Sequence, residues 1–189
     1  EAWLGASPDP APDPETLVLR YLAAFGPASA ADAQYWSGVP GLGEVFERLR
    51  PRLRIVRDED DRELFDVPRA PLPDADVRAP VRFLPEYDNV TIGHKDRTRI
   101  VPEGVPRFTE VGWGSVLVDG SVAARWRLFE TDPGPTLRIE PFRPLTRDER
   151  AETRDEAGRL ATFLAPETDG RVELKAATAD PARLRDLRV

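Results

Sequence analysis

The chain has 189 residues, of which 34 are acidic and 27 basic, giving a formal net charge of −7, with 40% hydrophobic residues. That balance describes a globular protein of one large or two small domains rather than a disordered one. No cysteine is present, which excludes disulfides and zinc–thiolate sites, and apolar runs of only a few residues exclude a helical membrane span of roughly 20.

The acid excess lowers the expectation of a generic polyanion binder, because phosphate contacts need clustered cations. A local patch is still compatible with it: all basic residues except Lys95 and Lys175 are arginine, whose planar fork suits phosphates and base edges. The chain lacks methionine and begins at Glu1. The expectation is a fragment or processed piece of a longer protein. No charged-then-apolar leader opens it, so a cytoplasmic location is expected.

In chain order, residues 1–14 are rich in Ala, Pro and Asp and are expected to form an arm or linker. Leu17, Val18, Tyr21, Leu22 and Phe25 recur at helical spacing from Pro14 onward, and Gly26-Pro27 ends that helix. Ser29, with Asp32 three residues on, is a capping signal for a second helix from Ala30 to Trp36. A turn at 37–41 leads to a third helix with the stripe Leu42, Val45, Phe46, Leu49, stopped by Pro51.

Two strand-like runs, 53–56 and 63–67, flank the acidic turn Asp58-Glu-Asp-Asp61. Three helices and a hairpin in this order predict a winged helix-turn-helix over 15–67. Its recognition-helix position carries Glu44, Glu47, Arg48 and Arg50, a mixed rather than basic set, and an acidic wing tip opposes phosphates. These residues alone favour a structural module.

Residues 68–80 read as a Pro-rich linker. Beyond it strands are predicted at 81–84, 114–118, 121–129 and 136–140, with Asp119-Gly120 as a two-residue hairpin turn. Thr146 caps a helix to about 164, buried along Ala157, Leu160, Ala161 and Leu164, and 171–175 is a last strand. The fold class is therefore α+β: a winged helix-turn-helix, then a small antiparallel β-sheet or barrel-like domain over 81–178 with a C-terminal helix at about 146–164.

The stretch 83–102 holds the only histidine and the only asparagine, and closes in the basic run His94, Lys95, Arg97 and Arg99. This run is the leading candidate for phosphate contact. Arg125 and Arg127 share one strand face, either solvent or the rim of a basic groove, while Ala124, Trp126 and Leu128 share the core face. Glu86, Asp88 and His94 could form an acid/base set, but such proximity in sequence is common by chance. Ser115 lacks a nucleophile elbow, a single histidine offers no metal cluster, and no phosphate loop or dinucleotide fingerprint occurs. No cofactor is expected.

Three ordered passages carry a resemblance: Tyr21-Leu-Ala-Ala-Phe-Gly-Pro-Ala-Ser-Ala-Ala-Asp32 through Trp36-Ser-Gly38; Phe83-Leu-Pro-Glu-Tyr-Asp88 with Asp96-Arg97-Thr-Arg99-Ile-Val-Pro102; and Val116-Leu-Val-Asp-Gly120 through Trp126-Arg127. In this order the chain resembles, over about 15–165, the C-terminal part of the bacterial winged-helix DNA-binding domain family. That family includes glycosylases that excise alkylated bases and unhook interstrand crosslinks.

The resemblance implies tandem winged helices joined to a β-barrel-like domain, a longer parent, and double-stranded DNA, including damaged DNA, as the partner. The family's catalytic pair, Gln-x-Gln or Gln-x-Asp, has no match: the single glutamine, Gln34, is followed by Tyr35-Trp36. The catalytic residues are therefore unknown, and this segment is expected to bind DNA without cleaving it, any glycosylase activity belonging to the full-length parent. The competing expectation is a protein-interaction or scaffold module whose winged helix does not bind DNA.

Overall fold

The computed structural model describes residues 5, 7, 11–74, 76–105, 112–132, 134–167 and 170–177. Its described part divides into two compact units, one made of Glu1–Pro73 with Gly93–Asp96 and one of Asp74–Ile92 with Arg97–Val189. Most of the expected arm at 1–14 and the tail beyond 177 lie outside the described residues.

The first unit begins with α1 (Pro14–Phe25), capped by the Asp13 carboxylate, which accepts from the Glu15 and Thr16 amides. Proline at the first helical position leaves no donor unsatisfied there. Helix α2 (Ala30–Ser37) starts at Ser29 with the expected capping box, and Gly38 closes it at φ 70°. Helix α3 (Leu42–Leu49) turns Leu42, Val45, Phe46 and Leu49 inward at i, i+3, i+4 and i+7, then tightens into a 3-10 turn at Arg50–Arg52 because Pro51 cannot continue an α-helix.

Strands β1 (Arg54–Arg57) and β2 (Glu63–Asp66) form an antiparallel hairpin, and Phe65 also bridges to Ala28 between α1 and α2. The helices and β2 close on a core centred on Val18, Tyr21, Leu22, Phe46 and Phe65, with Phe46 and Phe65 edge to face at 5.1 Å. Burying an aromatic or leucine side chain of this kind contributes about 1.5–3 kcal/mol.

The second unit is a five-stranded sheet in the order β3 (Arg82–Leu84), β4 (Gly114–Val118), β5 (Ser121–Phe129), β6 (Thr136–Pro141), β7 (Arg171–Leu174). A four-residue helix α4 (Asn89–Ile92), absent from the sequence expectation, follows β3. The β4–β5 turn places Asp119 at φ 50° and Gly120 at φ 76°, the left-handed pair that a tight hairpin needs. The first four strands are antiparallel, as expected, but β7 runs parallel to β6. The sheet is thus mixed rather than wholly antiparallel. Helix α5 (Arg147–Leu164), capped by Thr146 and Glu149, is long enough to carry the chain back to the other end of the sheet, which a parallel pair requires.

Both faces of the sheet centre are covered. Strand alternation sends Val116 and Val118 to the core under α5 and Leu117 to a second cluster with Val101, Val122 and Phe142. The register shift opposite Val116/Leu117 leaves Ala123 as an extra residue of β5, so that Ala123 and Ala124 both join the first core. Helix α5 buries Thr153, Ala157 and Ala161 against this core, with Leu160 partly buried. Leu164 does not join them: it is 40% exposed and Phe163 80%. At Gly114 a Cβ would collide with the Leu84 carbonyl and the Trp126 indole, so the close approach of β3 to β4 requires glycine.

Candidate nucleic-acid interface

The basic run divides between the two units. Residues 93–96 pack as a strap on the first unit, while Arg97 and Arg99 belong to the second. The strap is held by backbone and side-chain bonds from several elements. Tyr21 of α1 donates its hydroxyl to the Gly93 carbonyl at 2.8 Å, and His94 Nε2 lies 3.0 Å from the Phe25 carbonyl. Because a carbonyl only accepts, that ring nitrogen carries the proton. The histidine is half-buried and serves as an anchor.

Asp32 is the centre of this arrangement. One carboxylate oxygen accepts from the Ser29 amide at 2.9 Å and hydroxyl at 2.6 Å, completing the cap of α2. The other accepts from the Lys95 amide at 2.9 Å and the Asp96 amide at 3.4 Å. Burial pushes the Asp32 carboxyl up, but these bonds outweigh it and hold the group below the usual carboxylate range. Sequence reasoning found Asp32 as a cap and missed its grip on residues more than sixty positions away.

The strap's side chains point elsewhere. Lys95 is exposed beside a shallow groove of about 340 Å³ lined by Gln34, Tyr35, Gly38, Val39 and Pro40. Asp96 pairs with Arg62 at 2.5 Å, and Arg62 in turn holds Asp58 at 2.7 Å. The hairpin tip is therefore less acidic in effect than its sequence suggests: Asp58 is tied into the turn, and of the exposed Glu59, Asp60 and Asp61 the last two face Arg62 and Arg57 at 3.8 and 3.1 Å. The exposed side of α3 is likewise neutralised. Arg50 bridges Glu47 at 2.8 Å and Glu63 at 2.5 Å, and Arg48 and Arg52 approach Glu15 at 3.5 and 3.7 Å. Arg50 is held above, and Glu47 and Glu63 below, their ordinary ranges by these mutual hydrogen bonds.

In the second unit, the Arg97 carbonyl accepts from the Ile100 and Val101 amides, a turn that leaves Arg99 exposed, and the Ile100 carbonyl accepts from Val122 at 2.8 Å. Arg125 and Arg127 do share a face, but only Arg127 is exposed. Arg125 is 4% exposed, bonded to Glu140 at 2.7 Å and stacked 4.1 Å over the Trp113 ring. It corrects the expectation of a solvent or groove-rim face at that position, because Trp113 and Glu140 cover it. Arg127 and Arg138 stack on Phe129 at 5.3 and 4.4 Å. Neither Trp113, Phe129 nor Arg138 stood out in the sequence; only Phe129, at period-two spacing from Arg125 and Arg127 along β5, carried a signal there.

The acid/base set considered from sequence is engaged piecemeal. Glu86 accepts from the Gly112 amide, and Asp88 caps α4 through the Val90 amide at 2.8 Å. Among the described residues no group of three or more His, Asp or Glu side chains could hold a metal ion, and no helix is long and apolar enough to cross a membrane.

Comparison with known proteins gives one relation. No curated protein sequence and no solved structure matches the chain. A family model described as DNA glycosylase AlkZ-like matches residues 1–163, most of its length. The match covers well over half of the chain, and the chain belongs to the AlkZ-like DNA glycosylase family.

Proposed function

We propose that this chain is the DNA-binding portion of a winged-helix protein of DNA repair, and the family match over residues 1–163 is the observation that carries this reading. Helices α1–α3 and the β1–β2 hairpin form the winged helix-turn-helix over 15–67. Residues 68–80 link it to a β-rich domain at 81–178. The partner is duplex DNA, damaged duplexes included, and the N-terminal half of a longer parent completes the binding surface. The protein acts in the cytoplasm, on the nucleoid.

The exposed Lys95, Arg99 and Arg127 and the half-buried Arg97 supply phosphate contacts, while His94 holds the strap that presents Lys95. Arg125 supports the sheet face by fixing Trp113. No residue here is assigned to base excision, which needs a polar group to place water beside an extruded nucleotide. Excision belongs to the parent chain. Fluorescence anisotropy with a labelled duplex at low salt tests the reading. Lys95→Ala with Arg97→Ala is expected to weaken binding and lower the salt slope by about 2, near 0.9 per phosphate contact. No binding by the wild-type chain at low salt would sink it.

A second reading, a protein-interaction module, draws on the ion-paired face of α3 and the exposed Asp60 and Asp61. Clear duplex binding together with no protein captured in a pull-down would count against it.

A further inference from the structure

We infer that one flank of α5 is a second phosphate-binding surface, where Arg147, Arg150 and Arg154 form a row fitted to the sugar–phosphate backbone of duplex DNA. The inference rests on the DNA-binding reading above but uses residues which that reading does not.

At 100° per residue the three positions fall within about 60° of one another around the helix, and at 1.5 Å per residue they extend over about 10 Å. A DNA strand carries one charge per 3.4 Å of axis, so the row spans roughly three phosphates. Arg147 and Arg154 are exposed and Arg150 half-buried. None of the three guanidinium groups makes an ion pair or hydrogen bond among the described residues, whereas Arg78, Arg82, Arg143 and Arg159 around the same helix all have acidic partners.

The acids of α5 stand on its other flank. Asp148, Glu152, Asp155 and Glu156 lie there, with Glu152 bonded to Arg78 at 2.6 Å and Glu156 facing Arg82 of β3 at 4.0 Å. The basic row therefore lies on the opposite side of the buried stripe, away from β3. Charge segregated in this way does nothing for the fold. Arg147 occupies the first helical position, where the helix dipole disfavours a cation. Arg150 and Arg154 repel each other at i, i+4. Gly158 extends the row by one more turn; apart from proline, glycine is the least favourable residue inside a helix. No packing explains it, since a Cβ there would meet nothing within 4 Å.

Three locally unfavourable choices on one strip of surface point to an anion supplied from outside. A missing side chain at Gly158 lets a rigid backbone lie close along the helix. Arginine's fork suits paired phosphate oxygens, and the even row matches a repeating polyanion better than an irregular acidic protein face.

The test is anisotropy of the 189-residue chain with a 20-base-pair duplex across a salt series, with poly-L-glutamate as competitor. The triple variant R147A/R150A/R154A is expected to bind about tenfold or more weakly at low salt, with the salt slope reduced by about 2 to 3. Its melting temperature should stay level or rise, since repulsion has been removed. The charge-matched control R78A/R82A/R159A should keep the wild-type slope. The inference is overturned if the row variant binds like wild type, if the control loses as much slope, or if the row variant melts lower. It is also overturned if poly-L-glutamate displaces the duplex as readily as unlabelled DNA does, which would make the surface a dock for an acidic protein. Failure of this inference alone shows as duplex binding that responds to Lys95 and Arg97 but not to the row. Failure of the underlying reading shows as no duplex binding by wild type.

Discussion

Replacing Asp32 by alanine should destabilise the first unit by about 3 kcal/mol. Loss of the cap on α2 costs about 1 kcal/mol. The Lys95 amide, 2.9 Å from a charged acceptor, gives up a bond of about 1.5–3 kcal/mol, while the Asp96 amide at 3.4 Å adds little. Asp32 is only 7% exposed, so water restores these bonds incompletely. Urea unfolding followed by tryptophan fluorescence reads the loss, because Trp36 packs 5.4 Å from Tyr21 in the same unit. Hydrogen exchange at the Lys95 and Asp96 amides should accelerate at least tenfold in Asp32→Ala. In Lys95→Ala it should stay slow, since the bond is made by the backbone. A loss below about 1 kcal/mol with both amides still protected would refute the role given to Asp32. Its carboxyl is held low in the folded state, so its contribution is present at neutral pH and fades as pH drops below the unfolded value near 4. Asp32→Asn should remove that part of the acid response.

Glu149 gives a second acid-sensitive contribution. Bonds from Arg143, and then from the Thr146 amide, lower its pKa from 4.5 to about 2; the contribution is present above pH 4.5, is lost between there and pH 2, and with the pair open to solvent amounts to about 1 kcal/mol. Glu149→Gln should flatten the stability profile of the second unit in that window, as followed by circular dichroism of α5. Gly114→Ala should cost more than about 2 kcal/mol and alter the Trp126 environment, read by near-ultraviolet dichroism, because its Cβ meets the Leu84 carbonyl and the indole that bonds to it. Glu140→Ala should cost about 3 kcal/mol in urea unfolding, for it strips the carboxylate from an almost fully buried Arg125, whereas the paired change to Arg125→Met and Glu140→Leu should cost far less.

Local signals were the legible part of this chain. Ser29 with Asp32, Thr146, the Gly26-Pro27 stop and the Asp119-Gly120 turn each mark an element end through chemistry confined to a few residues, and the structure ends its elements there. The alternation that put Ala124, Trp126 and Leu128 on one face of β5 also holds. Depth was harder to read. Period-two spacing puts Arg125 and Arg127 on one face, but only the approach of Trp113, just before β4, and of Glu140 on β6 buries the first and not the second. Direction was hidden as well: 171–174 reads as a strand whichever way it pairs, and the parallel match to β6 depends on where α5 delivers the chain. The basic run looked like one surface because its residues are consecutive, yet its division between the units is set by Tyr21, Phe25 and Asp32, all far upstream.

The strap at 93–96 makes the two units a case for fragment complementation. A single protease cut in the exposed, Pro-rich segment 71–74 would leave the later piece still carrying Gly93–Asp96. That tetrapeptide retains its four attachment points on the earlier piece, at Tyr21, Phe25, Asp32 and Arg62. The nicked halves should therefore stay associated through a few native residues in trans, and a peptide copying residues 92–97 should compete for the same seat.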